Sequence, residues 1–399
     1  MVRRSLMLAC GSVLSLTCLA LADTTVLTPS KDVTIRIEVQ KPPHPQPMGE
    51  ADVQIALLLD TSNSMDGLIN QARTQLWKIV NELNKAQRDG KMPRLQVALY
   101  EYGNNNLSAG EGYIRMVLPL TNDLDKVSEE LWKLSTNGGS EYCGQVIHEA
   151  AEGLTWSADP KVYKAIFIAG NEPFTQGEFD YHKGVAQAVG RGVVVNTIHC
   201  GPRQEGERGM WADGARLGEG KFLTIDQDRV QVQIKTPCDE VIIKLSGDLN
   251  STYIPYGKDG EFGCARQIAQ DANAAAAAPE VAAARAVSKA SANYQNASWD
   301  FVDATCNAKT VKFEDADMSQ LPEAYRNLTR EQLKTKVEEL AKRRVELQAQ
   351  IAKLNAERDQ YIQDELKKAA GPTTQPDTLD TATLAIVREQ LQAKGFEVK

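Results

Sequence analysis

Between Ala51 and Val230 short apolar runs alternate with amphipathic segments, and this alternation leaves few folds open. Val53 to Leu59 is apolar at both odd and even positions, as a strand buried on both faces of a parallel sheet requires. The segment after it carries Ile69, Ala72, Leu76, Ile79, Val80 and Leu83 at helical spacing. Arg94–Tyr102 and Tyr113–Leu118 read as strands around the Gly- and Asn-rich stretch Gly103–Gly112, which suits a hairpin. Helical patterns over Asp123–Leu134, Val146–Leu154, Asp180–Val189 and Gly209–Leu217 then alternate with strand-like Val162–Ala169, Val193–His199 and Phe222–Ile225. This order predicts an α/β, Rossmann-like doubly wound domain over residues 51–230, its sheet mainly parallel with one antiparallel edge strand.

The end of the first strand is chemically distinct. In VQIALLLDTSNSMDG, Asp60, Ser62 and Ser64 offer a carboxylate and two hydroxyls in a strand-to-helix loop. Hard oxygen donors of this kind suit a small divalent cation, and ligands of open α/β sheets bind at the carboxyl ends of strands. The same residue types also cap helices and make turns with no metal involved. A second glycine turn, Gly138-Gly139-Ser140, precedes a second helix.

These residues and the element order resemble the von Willebrand factor A (VWA) family, whose DxSxS motif matches Asp60-Thr61-Ser62-Asn63-Ser64. The resemblance implies a metal-ion-dependent adhesion site with Asp60, Ser62, Ser64 and Ser140 as ligands. Mg²⁺, or Mn²⁺ or Ca²⁺, would be the cation, and an acidic side chain of a protein partner would complete its shell. It also implies a third-loop aspartate, and here Gly170 stands in its place before Asn171-Glu172-Pro173. Asn171, Glu141 or Glu172 could supply replacement oxygens, directly or through water.

Arg3 and Arg4 followed by apolar Leu6–Leu21 and Ala20-Leu21-Ala22 have the layout of a cleaved leader, which predicts export to periplasm, envelope or medium. No later run approaches a membrane span. The formal charge of −8 becomes more negative without Arg3 and Arg4, which opposes nucleic-acid binding. In an oxidising compartment the cysteines are read first as disulfides. Cys143 follows the second loop and Cys200 ends a later strand, so a Cys143–Cys200 bridge at the site rim is expected; Cys238, Cys264 and Cys306 cannot be paired from sequence.

Around this domain, residues 1–22 read as the leader, 23–50 as a strand and proline-rich connector, and 231–320 as a mixed, largely helical extension containing alanine-rich Ala272–Ala292. In 321–370, Leu333, Val337, Leu340, Arg344, Leu347, Ile351, Leu354, Arg358 and Tyr361 follow a heptad rhythm. This supports a coiled coil that self-associates through residues 329–370, a two-helix hairpin, or an amphipathic helix docked on its own chain. A linker and terminal helix fill 371–399.

The function expected is a non-enzymatic, exported protein-binding module, with a metal-independent scaffold assembled by the heptad helix as the alternative. A zinc hydrolase built on His148, Glu149 and Glu152 is a weaker option, since the second histidine of HExxH is replaced by glutamate. Phosphate-binding glycine motifs are absent, and Ser62 stands where an aspartyl phosphotransferase would want a second carboxylate.

Overall fold

The computed structural model describes residues 51–226, 234–369 and 379–398. The leader, the strand and connector of residues 23–50, most of the apolar run Val230–Ile234 and the linker at 371–378 lie outside them. Strand β1 (Val53–Asp60) leads through a short turn into α1 (Asp66–Leu83), followed by the two-residue β2 (Ala86–Gln87). The hairpin forms as expected, from β3 (Leu95–Tyr102) and β4 (Ile114–Thr121). Then come α2 (Leu124–Lys133), α3 (Cys143–Gly153), β5 (Tyr163–Gly170), α4 (Tyr181–Gly190), β6 (Val194–Cys200), α5 (Arg203–Arg208), α6 (Trp211–Leu217) and β7 (Glu219–Ile225).

The six-stranded sheet has the order β4-β3-β1-β5-β6-β7. All its neighbours are parallel except β3 and β4, so the antiparallel strand is an edge strand. β1 is central, and its two parities serve two cores. Val53, Ile55 and Leu59 pack with Leu68, Leu76 and Trp77 of α1, whereas Ala56 and Leu58 pack with Val146 and Ile147 of α3 and Val185 of α4. Burying a Leu or Ile side chain stabilises by about 1.5–3 kcal/mol, so both faces hold the strand in register.

The C-terminal half forms one compact unit with the sheet. Helix α7 (Asp239–Asn250) is followed by α8 (Gly260–Ala277) and α9 (Pro279–Lys289). The alanine-rich stretch is therefore two helices, broken where Pro279 opens the second; proline is tolerated at a helix start but not inside. Small side chains let α9 approach α1 closely, with Val281 and Ala284 joining the core beneath Trp77. Fully buried Arg285 crosses this contact, donating to Asp125 Oδ1 of α2 at 2.7 Å and to Asp271 Oδ1 of α8 at 2.6 Å, with its guanidinium 4.7 Å from the Trp77 ring centroid.

After the single turn α10 (Glu323–Arg326) comes α11 (Arg330–Ala369). Its heptad seam is covered by its own chain. Leu333 and Val337 pack with Ile254, Phe301 and Leu321, and Leu347 and Ile351 pack with Ile242 of α7 and Ala283 of α9. Arg344 reaches Asp300 at 2.9 Å and Asp303 at 2.7 Å, and Arg358 reaches Asp239 at 2.7 Å. Of the expected forms, the described residues display the amphipathic helix docked on its own chain: these seam positions pack within the chain, and the interior arginines answer buried aspartates there. Finally α12 (Leu379–Ala393) lies against α1, and β8 (Glu397–Val398) pairs antiparallel with β2.

Candidate functional site

Asp60 ends β1 at the carboxyl edge of the sheet and is fully buried. Its Oδ1 accepts the Ser62 N–H at 2.7 Å, which bends the chain away from the sheet toward α1. Three loops meet over it. The Asn137 N–H donates to Thr61 O at 2.9 Å, the Gly138 N–H to Asn63 Oδ1 at 2.8 Å, and the Asn104 amide to Ser135 O at 2.8 Å. The first loop is thereby tied to the turn after β3 and to the segment leading into α3.

Two glycines let these loops close. Gly103 has a φ of +80°, and a β-carbon there would lie 2.7 Å from Glu141 Cγ and 2.9 Å from Asp60 Oδ1. A β-carbon on Gly139 would meet Gly103 O at 2.4 Å. The absence of both side chains brings the carboxyl of Glu141, 4% exposed, beside that of Asp60. The Glu141 N–H is held by Gln176 Oε1 from the loop after β5.

The third loop contributes Asn171, whose Nδ2 donates to Ser64 Oγ at 3.1 Å. Gly170, at the expected aspartate position, faces a filled space, because the Tyr102 hydroxyl donates to Ala169 O at 3.0 Å right beside it. Among the described residues, Asp60 Oδ2, Ser62 Oγ, Glu141 Oε2 and Asn171 Oδ1 are buried with no hydrogen-bond partner. Buried polar atoms are ordinarily paired, so four such oxygens from three loops at one strand end mark a place where something else supplies the partner. Their chemistry, carboxylate, hydroxyl and amide oxygen, fits a hard divalent cation.

Electrostatics agree with the crowding. Burial, then the adjacent Asp60 charge, pushes the Glu141 carboxyl up to about 9. Burial raises Asp60 to about 6, with hydrogen bonds from its neighbours acting the other way. Without a cation the crowding of the two buried carboxyls favours protonation, and Glu141 is the one pushed further up.

Of the sequence-predicted ligands, Asp60 and Ser62 belong to the cluster, and Ser64 joins it through Asn171. Ser140 is half-buried in the loop, and its neighbour Glu141 supplies the unpartnered oxygen there. Glu172 is not among the unpartnered group; its Oε2 lies 3.5 Å from Gln176 Nε2. Tyr102, which decides the third position, carried no signal in the sequence.

The expected Cys143–Cys200 bridge is not formed, because the two lie on opposite faces of the sheet. Cys143 is a free thiol in the α3 and α4 core, 3.8 Å from the Tyr102 hydroxyl, while Cys200 packs in the α1 core. The zinc reading is not supported either. His148 contacts Gln187 and stacks on Phe179, Glu152 pairs with Arg191 at 2.5 Å, and Glu149 is exposed. Among the described residues no three His, Cys, Asp or Glu side chains gather as metal ligands. Further along the same edge, His199 of β6 is 3% exposed with both ring nitrogens unpartnered among the described residues, and burial lowers its pKa.

Residues 54–232 match the family model of the von Willebrand factor type A domain. Among solved structures, likenesses of part of the chain include proximal thread matrix protein 1 from the mussel byssus, at 17% identity and TM-score 0.33, covering 43% of this chain and 41% of that one. An aerotolerance-related membrane protein from Bacteroides fragilis gives 17% identity and TM-score 0.31 over 44% of this chain and 92% of its own. The SpRpn10 VWA domain gives 16% and 0.33 over 44% and 88%. The chain thus spans about two fifths of the mussel protein's length. No curated protein matches the chain. No described helix is long and apolar enough to cross a membrane.

Proposed function

Residues 54–232 being a von Willebrand factor type A domain, a type of domain that generally serves as a non-enzymatic interaction module, we propose that this chain is an exported protein-binding module whose site is the Asp60 edge of the sheet. The observation that carries this reading is the convergence of four buried, unpartnered oxygens from three loops on that edge. Asp60, Ser62, Ser64 and Ser140, with the oxygens of Glu141 and Asn171 beside them, would hold Mg²⁺, Mn²⁺ or Ca²⁺. Once bound, such a cation offers a coordination position to an acidic side chain of the partner. The residues themselves orient and enclose: Gly103 and Gly139 bring the loops together, and Asn171 ties the third loop to the first. Export rests on the Arg3-Arg4 and Leu6–Leu21 pattern.

Titration calorimetry of metal-stripped full-length protein with each cation tests the reading, together with partner capture from an envelope fraction with and without EDTA. Saturable binding that Asp60→Ala abolishes, while its circular dichroism stays native, is the expected result. No cation response in the wild type, or capture indifferent to EDTA, would overturn it.

A second reading is supported by the closeness of the Asp60 and Glu141 carboxyls and the raised proton affinity of both, which would let them share a proton without metal. The site would then be a metal-free docking edge, and capture indifferent to EDTA but lost on changing the loop residues would favour it.

A further inference from the structure

We infer that the second anionic ligand of this site is supplied not by the third loop at the end of β5 but by the second loop, through Glu141, with Asn171 giving a neutral oxygen in place of the missing aspartate. The inference rests on the cation-binding reading of the Asp60 edge and names the residues that complete it.

Its first support is exclusion. A side chain at position 170 would begin 2.5 Å from the Tyr102 hydroxyl and 3.1 Å from Asp60 Oδ2, so that strand has no room for a carboxylate while Tyr102 keeps its bond to Ala169 O. The second is placement. Glu141 Cγ and Asp60 Oδ1 crowd the same face of Gly103, and Glu141 Oε2 and Asp60 Oδ2 are both buried and unpartnered among the described residues. The third is the Ser62 hydroxyl, 4% exposed, a neutral oxygen enclosed beside both carboxyls.

Two adjacent carboxylates repel when both are ionised, and a dication between them removes the repulsion while satisfying both. Asn171 completes the set. Its amide nitrogen donates to Ser64 Oγ at 3.1 Å, which leaves the Oδ1 oxygen as its unpartnered acceptor. Glu172 offers a carboxylate two residues beyond Gly170, yet it is half-exposed and held near Gln176, outside the group. Holding both anionic ligands on loops that Gly103 and Gly139 lock together presets the site before any cation arrives.

The test is calorimetric titration of the full chain with Mn²⁺ and Mg²⁺, comparing wild type, Glu141→Gln, Asn171→Ala, Glu172→Gln and Asp60→Ala. Ligand charge sets affinity in oxygen sites, so Glu141→Gln is expected to weaken binding roughly 100-fold and Asn171→Ala roughly 10-fold. Glu172→Gln should bind as wild type. Thermal melting in EDTA controls for folding, since Glu141→Gln should melt no lower than wild type. If wild type and Glu172→Gln bind, Asp60→Ala does not, and Glu141→Gln binds unchanged, the relocated ligand is wrong while the cation-binding reading stands. If wild type binds no cation, both fall.

Discussion

The Tyr102 hydroxyl occupies the space that a side chain on Gly170 would need, 2.5 Å from where its β-carbon would lie. The glycine and the tyrosine therefore fit one another, each leaving the space the other needs. Gly170→Asp should destabilise the protein by about 1–3 kcal/mol, the usual cost of overpacking a buried site, as read from urea midpoints. Combining it with Tyr102→Phe should recover part of that loss. Equal stability of Gly170→Asp and wild type would refute the packing account.

Stability of the cation-free protein should depend on pH through three groups, the Glu141 and Asp60 carboxyls acting against the His199 imidazole. Glu141 ionises near 4.5 when unfolded and near 9 when folded, so between these values the folded state holds a proton that the unfolded chain has lost. Its contribution is complete below about 4.5 and is lost as pH rises toward 9; Asp60, raised to about 6 from 3.8, adds to the same slope at lower pH. His199 acts oppositely: its folded pKa lies below 6.5, so stability declines as pH falls through 6.5. Thermal melts in EDTA across pH 5 to 9 should show Glu141→Gln flattening the alkaline decline and His199→Phe flattening the acid one.

Cys143, 1% exposed between α3 and β3, should resist a thiol reagent in the native protein and react on unfolding. Peptide mapping without reduction should give no Cys143–Cys200 fragment. A native fast-reacting Cys143 would contradict the buried assignment.

Arg344 is 4% exposed and pairs with Asp300 and Asp303 at 2.9 and 2.7 Å. Arg344→Leu would strengthen an exposed heptad seam, but here it leaves two buried carboxylates uncompensated and should cost about 3–5 kcal/mol. Chemical denaturation measures the loss, and sedimentation should show no new association. A more stable variant that self-associates would restore the coiled-coil reading.

The sheet was legible because β1 is apolar on both parities, a pattern it shares with a buried helix, and because similar short runs alternate with amphipathic segments after it. The first loop was legible from Asp60, Ser62 and Ser64, yet the entry of Glu141 was not: sequence gives its adjacency to Ser140 but not which neighbour turns inward. Parity misled the cysteine pairing. Proximity to the same sheet edge put Cys143 and Cys200 together, while Cys200 shares its side with Ile198 and the α1 core. The arginines of α11 were visible as interior charges, but their partners Asp300, Asp303 and Asp239 lie far back in the chain, beyond any local pattern.

The pairing of β8 with β2 sits at the far end of α1 from the Asp60 loop, and Phe396 there lies under the Arg88 guanidinium at 4.4 Å. This strand pair thus ties residues 397–398 to the segment that follows α1, away from the Asp60 loops.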